Sequence, residues 1–180
     1  MNSLISLRKI VNDSEIHNLY VMMNNRDQYL YSIRLQHNNE MTFSKWLHDR
    51  LNTDFHDFNL VYLESVNIPI GFVHNYDFDL KNGHCKTVVY IDKEYRNMGI
   101  GAYSALVFVN KLFQDYPLRK IYSTVYSYNL QSIENHKRVG FDIEGILKKY
   151  RYYKGEFYDM IYLSIKKDVF LKRMEAWGCI

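Results

Sequence analysis

Cysteine is nearly absent from this chain: Cys85 and Cys179 are the only two, and no paired spacing relates them. That leaves no disulfide framework and fits a reducing compartment. The seven histidines form no His-x-x-x-His pattern and no Cys-x-x-Cys accompanies them, so no metal site is expected. No apolar run is long enough to span a bilayer, and residues 1–7 lack the apolar core of a signal peptide. The expectation is a cytoplasmic protein without a membrane partner. An excess of one charge is missing too. A net charge of +3 spread along the chain argues against nucleic acid as a partner. No repeat, low-complexity tract or linker interrupts the 180 residues, so 1–180 reads as a single domain with room for a core.

What the chain does have is the stretch Val88-Val89-Tyr90-Ile91-Asp92-Lys93-Glu94-Tyr95-Arg96-Asn97-Met98-Gly99-Ile100-Gly101. Its first four residues are β-branched or aromatic and read as a buried strand. Beyond the loop, apolar residues at 102, 105, 106, 109, 112 and 113 have the spacing of one helical face. A strand therefore feeds a glycine-bearing turn that opens a helix. The first helical amides have no carbonyl partner, and the helix dipole adds partial positive charge there. Gly99 and Gly101 let an anion approach the backbone, and Arg96 adds a full charge. The bland reading of such a glycine pair is a tight turn; the functional one is a phosphate cradle. A P-loop is excluded because Ala102-Tyr103 follows Gly101 where Lys-Ser/Thr is needed. A dinucleotide fingerprint is excluded because its third glycine falls at Ser104.

Taken in order, residues 4–10 alternate as a strand. Asn12-Asp13-Ser14 precede a helix with Ile16, Leu19, Tyr20 and Met23 on one face. Residues 24–40 show no clean period and carry Arg26, Tyr29, Tyr31, Arg34 and His37. Thr42 is the expected cap of a second helix bearing Phe43, Trp46, Leu47 and Leu51. Strands at 58–64 and 69–76 lead through Lys81-Asn82-Gly83 into the strand of the opening motif. A strand at 120–126, a helix at 131–139 stopped by Gly140, and a hairpin of 141–153 with 157–166 complete the chain. The order β-α-α-β-β-β-α-β-α-β-β predicts an α/β fold with a mixed sheet of about seven strands and helices on both faces.

Arg96-x-x-Gly99-x-Gly101 after a strand resembles the coenzyme A pyrophosphate loop of the GNAT family of N-acetyltransferases. A second motif agrees: Asn129-x-x-Ser132, then His136, then Gly140-Phe141, near the places this family fills with Asn-x-x-Ala/Ser, Tyr and Gly-Phe. Ile143-Glu144-Gly145 and Gly155-x-x-x-Asp159 are similar to a branch that includes spermidine, ribosomal-protein N-terminal and nucleotide-amino-sugar acetyltransferases. The similarity covers roughly residues 4–166. It implies a GNAT fold, acetyl-CoA as co-substrate, and direct transfer of the acetyl group to a primary amine. The acceptor it implies is a small molecule (polyamine or amino-sugar nucleotide) or a protein N-terminus, with a homodimer compatible. The cofactor-binding positions carried over are Val89, Tyr90 and Ile91 through their backbone, the loop Arg96, Asn97, Met98, Gly99, Ile100, Gly101 and Ala102, and Asn129 with Ser132.

Such transfer needs a neutral amine, a stabilised oxyanion and a proton for the departing thiolate. The chain departs from the family here. Lys86 stands where some relatives place a glutamate base, and His136 where the tyrosine acid is usual. Asn129, Ser132 and His136 at offsets 0, 3 and 7 share one helix face. His136 is thus the candidate acid, against a reading as a solvated helix residue, and no base is identified. Asn129 serves equally as a helix cap. Asp159 shares a strand face with Phe157, Ile161 and Leu163 and reads as a buried structural acceptor, with a catalytic role as the alternative, while His74 and His84 read as surface residues near strand ends. The final hairpin places Lys148, Lys149, Arg151 and Lys154 among Tyr150, Tyr152 and Tyr153. That leans toward an anionic acceptor or acidic peptide, against a plain solvated hairpin; alternation puts Lys149 and Arg151 on one face and Lys148, Tyr150 and Tyr152 on the other. A catalytically inactive CoA-binding sensor or interaction module is the rival reading, and a nucleic-acid module has no motif.

Overall fold

The computed structural model describes residues 4–24 and 39–177. Arg26, Tyr29, Tyr31, Arg34, His37 and Cys179 lie outside the described residues. The elements are β1 (Ile5–Lys9), α1 (Asp13–Met23), α2 (Glu40–Leu51), β2 (Phe58–Leu63), β3 (Ile68–Asp79), β4 (His84–Ile91), α3 (Ile100–Asp115), β5 (Lys120–Tyr126), α4 (Leu130–Val139), β6 (Asp142–Tyr153), β7 (Glu156–Lys166) and α5 (Lys167–Ala176). Seven strands form one sheet in the order β1-β2-β3-β4-β5-β7-β6. Every neighbouring pair is antiparallel except β4 with β5.

Alternation along the strands sends successive side chains to opposite faces, and each face has its own core. On one, Cys85, Ile121, Leu163 and Ile165 pack against Phe108, Val109 and Leu112 of α3 and Phe170 of α5. On the other, Phe58, Leu60, Phe72 and Tyr90 meet Leu19 of α1 and Phe43 and Leu47 of α2. Phe43 and Leu47 are fully buried four residues apart, each contributing about 2 kcal/mol by removal from water. Among the described residues no helix is long and apolar enough to cross a membrane.

Three local expectations change. The cap of α2 is Asn39, whose side chain accepts the Thr42 amide at 2.9 Å. Thr42 is one turn too late to cap, because an N-cap oxygen must reach the amide three residues on. A fifth helix, α5, follows the last strand, anchored by Phe170 and Met174, whose spacing of four residues is an unread helical signal. His74 is buried rather than superficial: it stacks on Phe58 with ring centroids 4.5 Å apart, and burial lowers its pKa to about 4.

Candidate active site

The site begins where a ladder stops. β4 and β5 pair only through His84 with Lys120, Cys85 with Ile121 and Lys86 with Tyr122. Past Lys86 the ladder between the two strands ends and their facing edges part. A cavity of about 350 Å³ occupies the gap. Its strand walls are Thr87, Val88, Val89, Tyr90 and Ile91 on one side and Ser123, Thr124 and Val125 on the other. Arg96, Asn97, Gly99, Gly101 and Ala105 form one end, and α4 supplies Asn129, Gln131, Ser132, Asn135, His136 and Arg138.

The loop between β4 and α3 is held from within. Asp92 donates its amide to the Ile70 carbonyl, a 3₁₀ turn spans Lys93–Tyr95, and Arg96 Nε donates to the Ile91 carbonyl at 2.8 Å. The Arg96 guanidinium also lies 5.5 Å from the Tyr90 ring centroid. Gly99 then takes φ +78°, a left-handed conformation that suits glycine, and serves as the N-cap of α3 without any side-chain capping bond. No acidic residue sits in the first turn of α3. Its amide end is therefore left to an external acceptor, with the dipole favouring an anion. A Cβ at Gly101 meets only Asn135 Nδ2 and Ile91 Cγ1, both at 3.7 Å.

The side chains of this stretch divide cleanly. Tyr90 is buried, with its hydroxyl on Asp92 at 2.6 Å and its ring 5.1 Å from Phe72, so it reaches the cavity by its backbone. Ile100 is core, Ala102 packs against it, and Met98 is exposed; none of the three lines the cavity.

At α4, Asn129 is the N-cap, its side chain accepting the Ser132 amide at 3.2 Å. His136 Nδ1 is 2.7 Å from the Ser132 carbonyl oxygen and 3.4 Å from the Ser132 hydroxyl. A carbonyl only accepts, so Nδ1 carries the proton and Nε2 presents a lone pair. Burial also pulls the His136 pKa below the usual histidine value, which keeps the ring neutral at pH 7. A neutral ring with this tautomer accepts a proton at Nε2 more readily than it donates one. Gly140, at φ +111°, ends the helix, and the Phe141 amide returns to the His136 carbonyl.

The cavity thus gathers Val89, Tyr90, Ile91, Arg96, Asn97, Gly99, Gly101, Asn129, Ser132 and His136 from the residues read off the sequence. It adds Thr87, Ser123, Thr124 and Asn135 among others. Asn135 stands three residues beyond Ser132 on the same helix face, a spacing that points to it; Ser123 and Thr124 carry no local signal. Lys86 donates to Asp77 at 2.9 Å and has no acceptor role.

The basic hairpin is less free than its composition suggests. Asp159 is half-buried rather than buried, and it clamps a bulge: Oδ2 accepts Lys148 Nζ and Oδ1 accepts the Lys149 amide, both at 2.9 Å. The bond from Lys148 and that from the Lys149 amide hold its carboxyl below the usual aspartate range. Lys149 has φ +51°, and three residues, Lys148 to Tyr150, oppose Asp159 alone, so strict alternation fails across the bulge. Arg151 lies over the Tyr126 ring at 4.6 Å and donates to its hydroxyl.

Comparison with known proteins agrees with this geometry. Residues 7–162 match the family model described as an acetyltransferase (GNAT) domain. The chain is 31% identical over 126 residues, 70% of each protein, to the SPbeta prophage-derived uncharacterized N-acetyltransferase YokL of Bacillus subtilis. It is 31% identical over 78 residues, 43% of this chain and 51% of the relative, to a probable spermine N(1)-acetyltransferase of Bacillus subtilis subsp. natto. A solved spermidine N-acetyltransferase from Vibrio cholerae, in complex with CoA and spermine, superposes with a TM-score of 0.81 at 18% identity over 94% of this chain and 99% of that one. With the family model spanning most of its length, the chain belongs to the GNAT family: it is an acyl-CoA N-acetyltransferase that takes an acetyl group from acetyl-CoA and passes it to an amine.

Proposed function

We propose that the gap between β4 and β5 is the transfer site and that the acceptor is the primary amine of a small molecule. The observation that carries this is the parting of the two strands beside an uncapped helix N-terminus. Acetyl-CoA brings the thioester. Its pyrophosphate would meet the loop that starts at Arg96 through the amides of Asn97, Met98, Gly99, Ile100, Gly101 and Ala102, the Arg96 amide itself being bonded to the Lys93 carbonyl, and its pantetheine arm would run along the backbone of Val89, Tyr90 and Ile91 beside Asn129 and Ser132.

An alkyl amine with a pKa near ~10 is mostly charged at pH 7 and must lose a proton before it attacks. Its nitrogen then bonds to the acetyl carbon and loses a second proton to solvent, the carbon–sulfur bond breaks, and the electron pair leaves on sulfur. The state of His136 fits accepting a hydrogen bond or proton rather than protonating that sulfur, so solvent supplies the thiolate's proton.

The named activities of the spermine and spermidine enzymes support a small-molecule amine over a peptide N-terminus. The hairpin gives less support to an anionic acceptor than its charge count suggests, because Lys148 and Arg151 are engaged within the chain. Family membership does not favour a non-catalytic CoA-binding module. A single cytoplasmic domain remains our reading of 1–180, and exposed Ile143, Ile146, Tyr152 and Phe157 on the hairpin support a homodimer over a monomer. The test is release of CoA thiol from acetyl-CoA with polyamines, amino-sugar nucleotides and peptide N-termini as acceptors. Turnover is expected with a small molecule; turnover confined to peptides would overturn that reading.

A further inference from the structure

A gap between two strands gives onto both faces of a sheet, and the cavity lies in such a gap. Cys85 and Ile121 face α3, so alternation puts Lys86, Val88, Tyr122 and Thr124 on the opposite face. Val88 and Thr124 also line the cavity, so its strand walls include residues whose side chains belong to either face. Helices α3 and α4 wall the first face, so a second reactant enters from the other. Lys86 stands on that entry face at the last paired position before the strands part.

Its surroundings are those of a bound alkylammonium ion. Nζ donates to Asp77 Oδ2 at 2.9 Å and lies 5.7 Å from the Tyr76 ring centroid and 5.8 Å from that of Tyr162. Tyr76 is the direct cross-strand partner of Lys86, and Tyr162 is the partner of Thr124. A carboxylate and two ring faces converging on one point recognise an ammonium group, by charge-assisted hydrogen bonding and by the ring quadrupoles. Burial opposes the lysine charge, but the hydrogen bond and the charge of Asp77 outweigh it and hold Lys86 above the ordinary lysine range. The cation is permanent at neutral pH.

We propose that Lys86 fills an ammonium subsite from within the chain, steering the enzyme toward amines whose far end is neutral or anionic and away from diamines and polyamines. This rests on reading the gap as the transfer site. A second ammonium arriving at this face finds the carboxylate and rings already satisfied and meets a like charge.

Three probes differ only at the far end: n-pentylamine, cadaverine and δ-aminovalerate. Calorimetric binding of each to the CoA-saturated protein is expected to rank cadaverine last in the wild type. In Lys86→Met the cadaverine-to-pentylamine affinity ratio is expected to rise about tenfold, from the vacated carboxylate and rings. Lys86→Arg should keep the wild-type order, and Lys86→Met with Asp77→Asn should lose the gain. An unchanged ratio in Lys86→Met, cadaverine binding best to the wild type, or no binding of any probe to either form would overturn the proposal. Failure of the transfer-site reading shows separately, as absence of CoA binding and of CoA thiol release.

Discussion

Two helix N-termini border the same cavity and are finished in opposite ways. Helix α3 begins at Gly99, in a left-handed conformation, with no side chain capping its amides and no acid in its first turn. Helix α4 begins at Asn129, whose side chain satisfies the Ser132 amide, and its Ser132 carbonyl is taken by His136. No side chain of the chain caps the amides of α3, whereas Asn129 takes the Ser132 and Ile133 amides of α4, which offers the cavity side chains. A glycine N-cap costs only about a few tenths of a kcal/mol relative to a good cap, so leaving these amides open is cheap. The difference supports the proposed division, with anion binding at α3 and positioning at α4.

The largest effect should come from closing the open end. In Gly101→Val the added side chain projects into the cavity, while the first neighbours of its Cβ, at 3.7 Å, are ordinary contacts. Loss of charge-assisted bonds to the pyrophosphate should weaken CoA binding by about ten- to a hundredfold with the fold retained. Calorimetry together with thermal unfolding checks this, and undiminished affinity in a folded variant would remove the distinction between the two helices.

A smaller effect is expected at His136. A general acid supplies roughly 10²–10⁴ in rate. An acid is lost as pH rises through its pKa, and burial places that of His136 below the usual histidine value, so at pH 7 it is already neutral. His136→Ala should therefore lower kcat less than about tenfold, with the rise in rate toward alkaline pH, set by amine deprotonation, retained. A loss of about 10² or more, with a changed pH profile, would make α4 the source of the departing thiolate's proton.

The smallest effects are on stability and sharpen the contrast. Asn129→Ala removes a cap and should cost about 1 kcal/mol. Gly99→Ala forces a side chain into positive φ at a similar cost of about 1 kcal/mol, and Gly99→Asn should recover part of it because asparagine tolerates that region. Urea denaturation measures all three. The Gly99 changes should shift CoA affinity more than Asn129→Ala does, and an equal shift in Asn129→Ala would make that side chain as strong a ligand contact as the open amides.

The sequence by itself determined the element order from β1 to β7, the glycine turn before α3, the Asn129 and Gly140 ends of α4 and the core side chain of Tyr90. Each is written in residues close together, as periodicity, capping chemistry or a required φ. Asn39, Phe170 and Asn135 had local signals as well: Asn39 takes the capping role expected of Thr42, while the helix of Phe170 and the cavity position of Asn135 were not expected. Tertiary structure alone decided where β4 and β5 stop pairing, and hence that Ser123 and Thr124 face Val88 and Val89 across a cavity. It also decided that His74 is enclosed by Phe58 and Phe72, that Asp159 clamps a bulge, and that Lys86 lies between Asp77, Tyr76 and Tyr162. Strand alternation says which face a side chain takes, but what it meets there depends on register between strands distant in sequence, and pairing register is a property of the assembled sheet.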